Sequence, residues 1–176
     1  MSHPPSPPTV FISYSWDSPI HKDWVKTLAD HLIGNGIKVI FDQYHCRPGD
    51  NFLMFMEQSV KRADRVLLIL TEAYKTKADL RLRGAGFEGQ VISAELYIDG
   101  GSSKFIPVLR SGDNEQSIPI FLQGRVGVDM REDAYFQDEL SRLLKAIYEY
   151  SDEPTLGPAP DFVALANAKQ SALPDE

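Results

Sequence analysis

Five short apolar runs, set apart by helix-length stretches, constrain this chain more than any other feature. They are TVFISYS (9–15), IKVIFD (37–42), RVLLIL (65–70), KFIPVL (104–109) and GRVGVDM (124–130). Strands divided by crossovers of that length form a parallel sheet with helices over both faces. RVLLIL is apolar at every position after its first arginine, as a central strand covered on two sides must be.

The stretches between them carry helical patterns. Ser18-Pro19 supplies an N-cap and a first helical residue. Ile20, Trp24, Leu28 and Leu32 follow at four-residue spacing and predict one buried stripe, which IGNG ends. Asp50 is the expected cap of a second helix, with Leu53, Met56 and Val60 on one face. A long polar segment follows the third run, and RLRGAGFEGQVISAELY (81–97) after it reads as a helix. The last helix is expected over 133–149, with Phe136, Leu140, Leu143 and Ile147 facing inward.

With 176 residues there is room for one domain, here 9–150. Four prolines in the first eight residues make 1–8 a disordered start. The stretch 151–176, rich in Pro, Ala and acids, reads as a flexible linker or tail leading to a possible sensor domain. Net charge is −7; the tail holds five acids and one lysine, which leaves −3 for residues 1–150. A mildly acidic domain is a poor fit to direct nucleic-acid binding. Lys61, Arg62, Arg65, Lys75, Lys77, Arg81 and Arg83 form a local basic run, read as a solvated face. The longest aliphatic run, Val66 to Leu70, is far short of the roughly 20 residues that span a membrane. A single cysteine rules out an internal disulfide and suits a cytoplasmic location.

In an open parallel sheet, ligands bind outside the carboxyl ends of the strands. The loops 14–18, 43–50 and 71–88 are therefore expected to meet. Gly84, Gly86 and Gly89 spell a dinucleotide-type glycine motif, but thirteen residues separate it from Leu70, and a phosphate cradle follows its strand directly. A phosphate-accepting receiver needs an aspartate where strand three ends, and this chain has Leu70-Thr71-Glu72. No metal is expected, since His45-Cys46 has no second pair at ligand spacing. Cys46 lacks the context of a nucleophile.

Glu88 and Glu95 remain. On one helix they lie about 10 Å apart along the axis. A helix that follows strand three starts at the carboxyl edge, which puts Glu88 at the crevice and carries Glu95 away. An ionised carboxylate there stabilises, or captures, the positive charge that builds on a sugar as a ribosyl–nitrogen bond breaks. Phe87, Trp16 and Tyr14 are candidate surfaces for the departing ring, and Arg47 is a candidate fork for a phosphate.

VFISYSWDS, GIKVIFDQYHCRPGD, SVKRADRVLLILTEAY and FIPVL, in this order and spacing, resemble a Toll/interleukin-1 receptor (TIR) domain of the bacterial type, close to the related SEFIR group. The resemblance covers about residues 9–150. It implies a flavodoxin-like α/β fold, with a five-stranded parallel sheet in the order 2-1-3-4-5 and helices on both faces. It also implies one of two activities. Many bacterial members cleave NAD⁺ between nicotinamide and ribose, through a glutamate near the start of the third helix, once self-assembled in antiviral defence. Others act as non-catalytic adaptors through TIR–TIR contacts. Carried onto this chain, the glutamate falls on Glu88, with Glu95 second. Phe87 and a glycine-rich insertion stand where the family often has a tryptophan. The expected substrate residues are Arg47, Tyr14, Ser15, Trp16 and Phe87. NAD⁺ is then substrate, with no cofactor, and the expected partner is another TIR domain.

Overall fold

The computed structural model describes residues 6–82 and 103–163. Five parallel strands form one sheet: β1 (Thr9–Tyr14), β2 (Lys38–Ile40), β3 (Arg65–Leu70), β4 (Phe105–Leu109) and β5 (Val128–Asp129). Their order is β2-β1-β3-β4-β5. The register pairs Ser13 with Leu68, and Leu68 in turn with Pro107, so the central strands end level with one another.

Alternation along the strands divides the core into two layers. Val10, Ile12, Tyr14, Leu67, Ile69, Ile106 and Val108 point to one face. There they meet Val25, Leu28 and Leu32 of α1 (Pro19–Gly34) and Leu140, Leu143 and Ile147 of α6 (Phe136–Ile147). Phe11, Val66, Leu68, Leu70, Phe105 and Leu109 point to the other. They pack on Met56 and Val60 of α3 (Phe52–Arg62) and on Tyr74 and Ala78 of α4 (Glu72–Leu82). Burial on both sides is why β3 has no polar alternation.

Ser18 caps α1 as expected, its side chain accepting from the His21 amide at 3.1 Å, with Pro19 in the first turn. The stripe is narrower than its spacing suggests. Ile20 is 82% exposed, because in the first turn it lies ahead of the sheet edge, and His21 and Val25 turn inward instead.

The second crossover departs further. β2 stops at Ile40, and Asp42–His45 forms a one-turn helix, α2, where a loop was expected from residue 43. Asp50 does not cap α3. Asn51 does, accepting from the Met54 amide at 3.1 Å. Asp50 instead closes the turn before it, its carboxylate accepting from the Arg47 amide at 2.7 Å, while the Asp50 amide bonds the Arg47 carbonyl. Pro48 and Gly49 fill the middle of that turn, and Gly49 has φ +97°, a conformation glycine adopts without penalty. Leu53, in the first turn of α3, is exposed, and Ser59 joins Met56 and Val60 inside.

The largest departure follows β3. Glu72–Leu82 is helical, not an irregular polar segment. Among its described side chains, Tyr74 and Ala78, one turn apart, are the fully buried ones, too sparse to stand out among charges. A one-turn helix, α5 (Asn114–Ser117), follows β4, and β5 is only two residues long. α6 is preceded by a 3₁₀ turn at Asp133–Tyr135 and ends at Ile147, short of the expected 149. The expected helix bearing Glu88 and Glu95, with its three glycines and Phe87, lies outside the described residues, as does the end of the tail.

Candidate functional site at the carboxyl edge

Loops leaving β1, β2 and β3 do converge where the strands end. Tyr14, the last residue of β1, is fully buried. Its phenol donates to Asp42 Oδ2 at 3.2 Å and accepts from Gln43 Nε2 at 2.9 Å. Gln43 also donates to the Lys22 carbonyl at 3.2 Å, which fastens α2 to α1. Burial, and then the negative charge of Asp42, push the Tyr14 phenol far above its ordinary range. This phenol is a fixed hydrogen-bonding post, not an acid near neutral pH.

The loop from β1 is tied to β3 as well. Ser15 is buried, and its hydroxyl donates to Asp17 in a short contact and lies 3.2 Å from Thr71 Oγ1. Thr71 accepts from the Tyr74 amide at 3.1 Å and so caps α4. Trp16, between Ser15 and Asp17, faces outward and is 51% exposed. Its ring lies 6.0 Å from that of Phe52 at the start of α3, with the Lys22 ammonium 5.0 Å from its centroid. Arg47 is exposed on the turn five residues before Phe52.

The predicted site residues therefore divide. Trp16 and Arg47 present side chains to solvent at this edge. Tyr14 and Ser15 lie beneath them with their hydroxyls engaged. Glu88, Glu95 and Phe87 lie outside the described residues. The acid that does occupy the first turn after β3 is Glu72, which is exposed. The helix-direction argument that favoured Glu88 over Glu95 thus applies to Glu72, since that helix begins sixteen residues before Glu88.

Asp42, Gln43 and Thr71 were not singled out by sequence. Asp42 and Thr71 each directly follow an apolar run, which marks where the chain leaves the sheet but not the contact that each side chain makes.

Behind this edge runs a column of flat groups. His21 stacks on Trp24, rings 8° from parallel with centroids 6.5 Å apart, and the Arg110 guanidinium lies 4.4 Å from the Trp24 centroid. Arg110 also donates to the Met130 carbonyl at 2.7 Å and pairs with Asp133 at 3.0 Å. His21 Nε2 is buried and has no partner. Burial lowers the His21 pKa; Asp17 opposes that shift and Arg110 adds to it.

Cys46 is shifted upward by burial, Asp50 and Asp42, the opposite of an activated thiol. Among the described residues no group of three His, Cys, Asp or Glu is placed to hold a metal ion. The basic run is dispersed: Lys61 and Arg62 end α3, Arg65 pairs with Glu149, and the Lys75 ammonium meets the Glu115 carbonyl. No described helix is long and apolar enough to cross a membrane.

The strand order defines a flavodoxin-like α/β domain, with the loops leaving β1, β2 and β3 gathered at one end of the sheet. The family model described as TIR domain matches residues 10–144. A prokaryotic SEFIR domain is 35% identical, covers 87% of this chain and 98% of its own, and superposes with a TM-score of 0.70. The chain belongs to the TIR domain family. Two more distant solved structures share the fold. The TIR domain of the Toll-related receptor TRR-2 from Hydra magnipapillata is 19% identical, covers 79% and 97% of the two chains, and gives a TM-score of 0.57. The TIR domains of the activated Roq1 resistosome, which directly recognises the effector XopQ, are 14% identical, with coverage of 80% and 99% and a TM-score of 0.52. No match was found among curated proteins.

Proposed function

We propose that this TIR domain hydrolyses NAD⁺ at the bond between nicotinamide and ribose, as the self-assembling effector of a cytoplasmic antiviral defence protein. The observation that supports this reading most is the half-exposed Trp16 ring at the carboxyl edge, next in sequence to the buried Ser15 and beside Phe52, five residues beyond Arg47. An indole in that place offers a flat apolar face to an aromatic ring. Arg47 offers a planar fork to the pyrophosphate.

In the reaction the C1′–N bond breaks, and nicotinamide leaves with the bonding pair as a neutral ring. Positive charge collects on the ribose. A carboxylate, Glu88 first and Glu95 second, stabilises that charge or bonds to C1′. Water then adds at C1′, releasing a proton and ADP-ribose. Attack by a group of the same nucleotide in place of water gives a cyclic product. NAD⁺ is consumed as substrate, so no cofactor is required. Tyr14 and Ser15 act from beneath, holding the loop that carries Trp16.

The test is release of nicotinamide from NAD⁺ by concentrated or crowded protein, with Glu88→Gln, Glu95→Gln and Glu72→Gln compared. Loss in the first variant alone supports the assignment. Loss in either of the others alone moves the role to that residue. Absence of turnover in the assembled wild type favours a non-catalytic scaffold that acts through TIR–TIR contacts.

A further inference from the structure

Four groups at the carboxyl edge form a chain of hydrogen bonds with a fixed direction. The Tyr74 amide, in the first turn of α4, donates to Thr71 Oγ1 at 3.1 Å. Asp17 accepts from the Ser15 hydroxyl. A hydroxyl has one proton, so Ser15, having given its proton to Asp17, is the acceptor in its 3.2 Å contact with Thr71. The order is therefore Tyr74 N–H to Thr71 O–H to Ser15 O–H to the Asp17 carboxylate. An amide that only donates closes one end, and a carboxylate that only accepts closes the other. Each bond polarises the next in the same sense, and the positive end of the α4 dipole lies at the donor terminus. Thr71 and Ser15 are both buried, so water does not compete for the central link.

We propose that Thr71 is a positioning residue of the candidate site. It acts through Ser15 and Asp17 to hold the loop that carries Trp16. Trp16 stands between the two residues that the chain fixes; its ring borders Phe52 and Lys22 at the rim, and its side chain also reaches the Tyr14 phenol beneath. The cap of α4 thus doubles as the clamp of the β1 loop. Thr71 touches no substrate atom in this assignment. Only the substrate arm of the proposal rests on the NAD⁺ reading; the clamp is independent of it.

The test uses Thr71→Val, which keeps the shape and removes the hydroxyl; Thr71→Ser, which restores it; and Ser15→Ala, which cuts the chain but leaves the α4 cap. The chain has two tryptophans, so the Trp16 indole N–H resonance can be followed with Trp24 as internal reference. Thr71→Val and Ser15→Ala are expected to shift or broaden the Trp16 signal and leave Trp24 in place, with Thr71→Ser close to wild type. In the nicotinamide assay the same two variants should raise KM for NAD⁺ about three- to tenfold, the worth of one net hydrogen bond, with kcat within about twofold. An unmoved Trp16 signal in both variants overturns the proposal, as does a fall in kcat at constant KM. If the wild type cleaves no NAD⁺, the functional reading fails, and the Trp16 signal alone decides the clamp.

Discussion

The Tyr14 phenol and the Asp42 carboxylate meet inside the protein at 3.2 Å, joining the last residue of β1 to the first residue of α2. Asp42 Oδ1 is buried with no partner, so the phenol and its carboxylate neighbour form a contact with little redundancy. Tyr14→Phe keeps the ring contacts with Phe41 and His21 and removes the hydroxyl that donates to Asp42 and accepts from Gln43. Leaving a buried acceptor unmet is expected to cost about 1–3 kcal/mol of folding free energy. Urea unfolding measures this, and a change below about 0.5 kcal/mol would contradict the arrangement.

The raised Tyr14 pKa has a consequence at high pH. The fold favours the neutral phenol, so its contribution is complete below about pH 10, the unfolded value, and declines as the pH rises above that. Tyr14→Phe should flatten part of the alkaline loss of stability. Equal slopes in wild type and variant between pH 10 and pH 11 would count against it.

His21 behaves in the opposite sense. Its folded pKa is lowered, chiefly by burial, so the fold favours the neutral ring. That contribution is full above about pH 6.5, the unfolded value, and is lost as the pH falls toward the folded pKa. His21→Phe retains a ring against Trp24 and removes the proton site. Between about pH 6.5 and pH 5 the wild type should lose stability faster than the variant, which thermal melts across that window would reveal.

Two glycines at the carboxyl edge separate backbone strain from crowding. Gly49 has φ +97° with open space where a Cβ would stand, and Gly112 has φ +78° with Ser117 Oγ at 2.1 Å from that position. Gly49→Ala should cost about 1–2 kcal/mol, the left-handed penalty alone. Gly112→Ala should cost more, about 2–4 kcal/mol, because the loop against Ser117 and Glu72 must shift as well. Equal losses would show that the two sites are packed alike.

Trp16 tests the site and not the fold. Half its surface is exposed, so Trp16→Ala should change stability by less than about 1 kcal/mol. KM for NAD⁺ should nevertheless rise about tenfold, with Trp16→Phe intermediate, since stacking is worth about 1 kcal/mol or more. Steady-state kinetics on assembled protein checks this; a KM unchanged in Trp16→Ala removes the indole from the substrate surface.

Much of the sheet was legible because β1, β3 and β4 are buried on both faces, and burial writes itself into sequence as unbroken apolar runs. β2 and β5 were overread, since Phe41, Asp42 and residues 124–127 continue the composition of a strand without its pairing. α4 was missed because, among its described side chains, only Tyr74 and Ala78 are fully buried, and the charged residues interleaved with them hide the stripe. That omission reached the site. The first turn after β3 belongs to Glu72, so helix direction no longer separates Glu88 from Glu95. Trp16 and Arg47 were recognisable as loop residues of functional type. Thr71 was not, because its role comes from a contact with Ser15 across 56 positions, a separation no local pattern reports.

The central claim is that the assembled domain cuts the nicotinamide–ribose bond with its own carboxylate. Nicotinamide release, followed over rising protein concentration with ADP-ribose products counted in parallel, tests it most directly. The account predicts turnover that climbs more steeply than protein concentration, one sugar nucleotide per nicotinamide, and loss of both in Glu88→Gln. Assembled wild-type protein that leaves NAD⁺ intact at every concentration would contradict it.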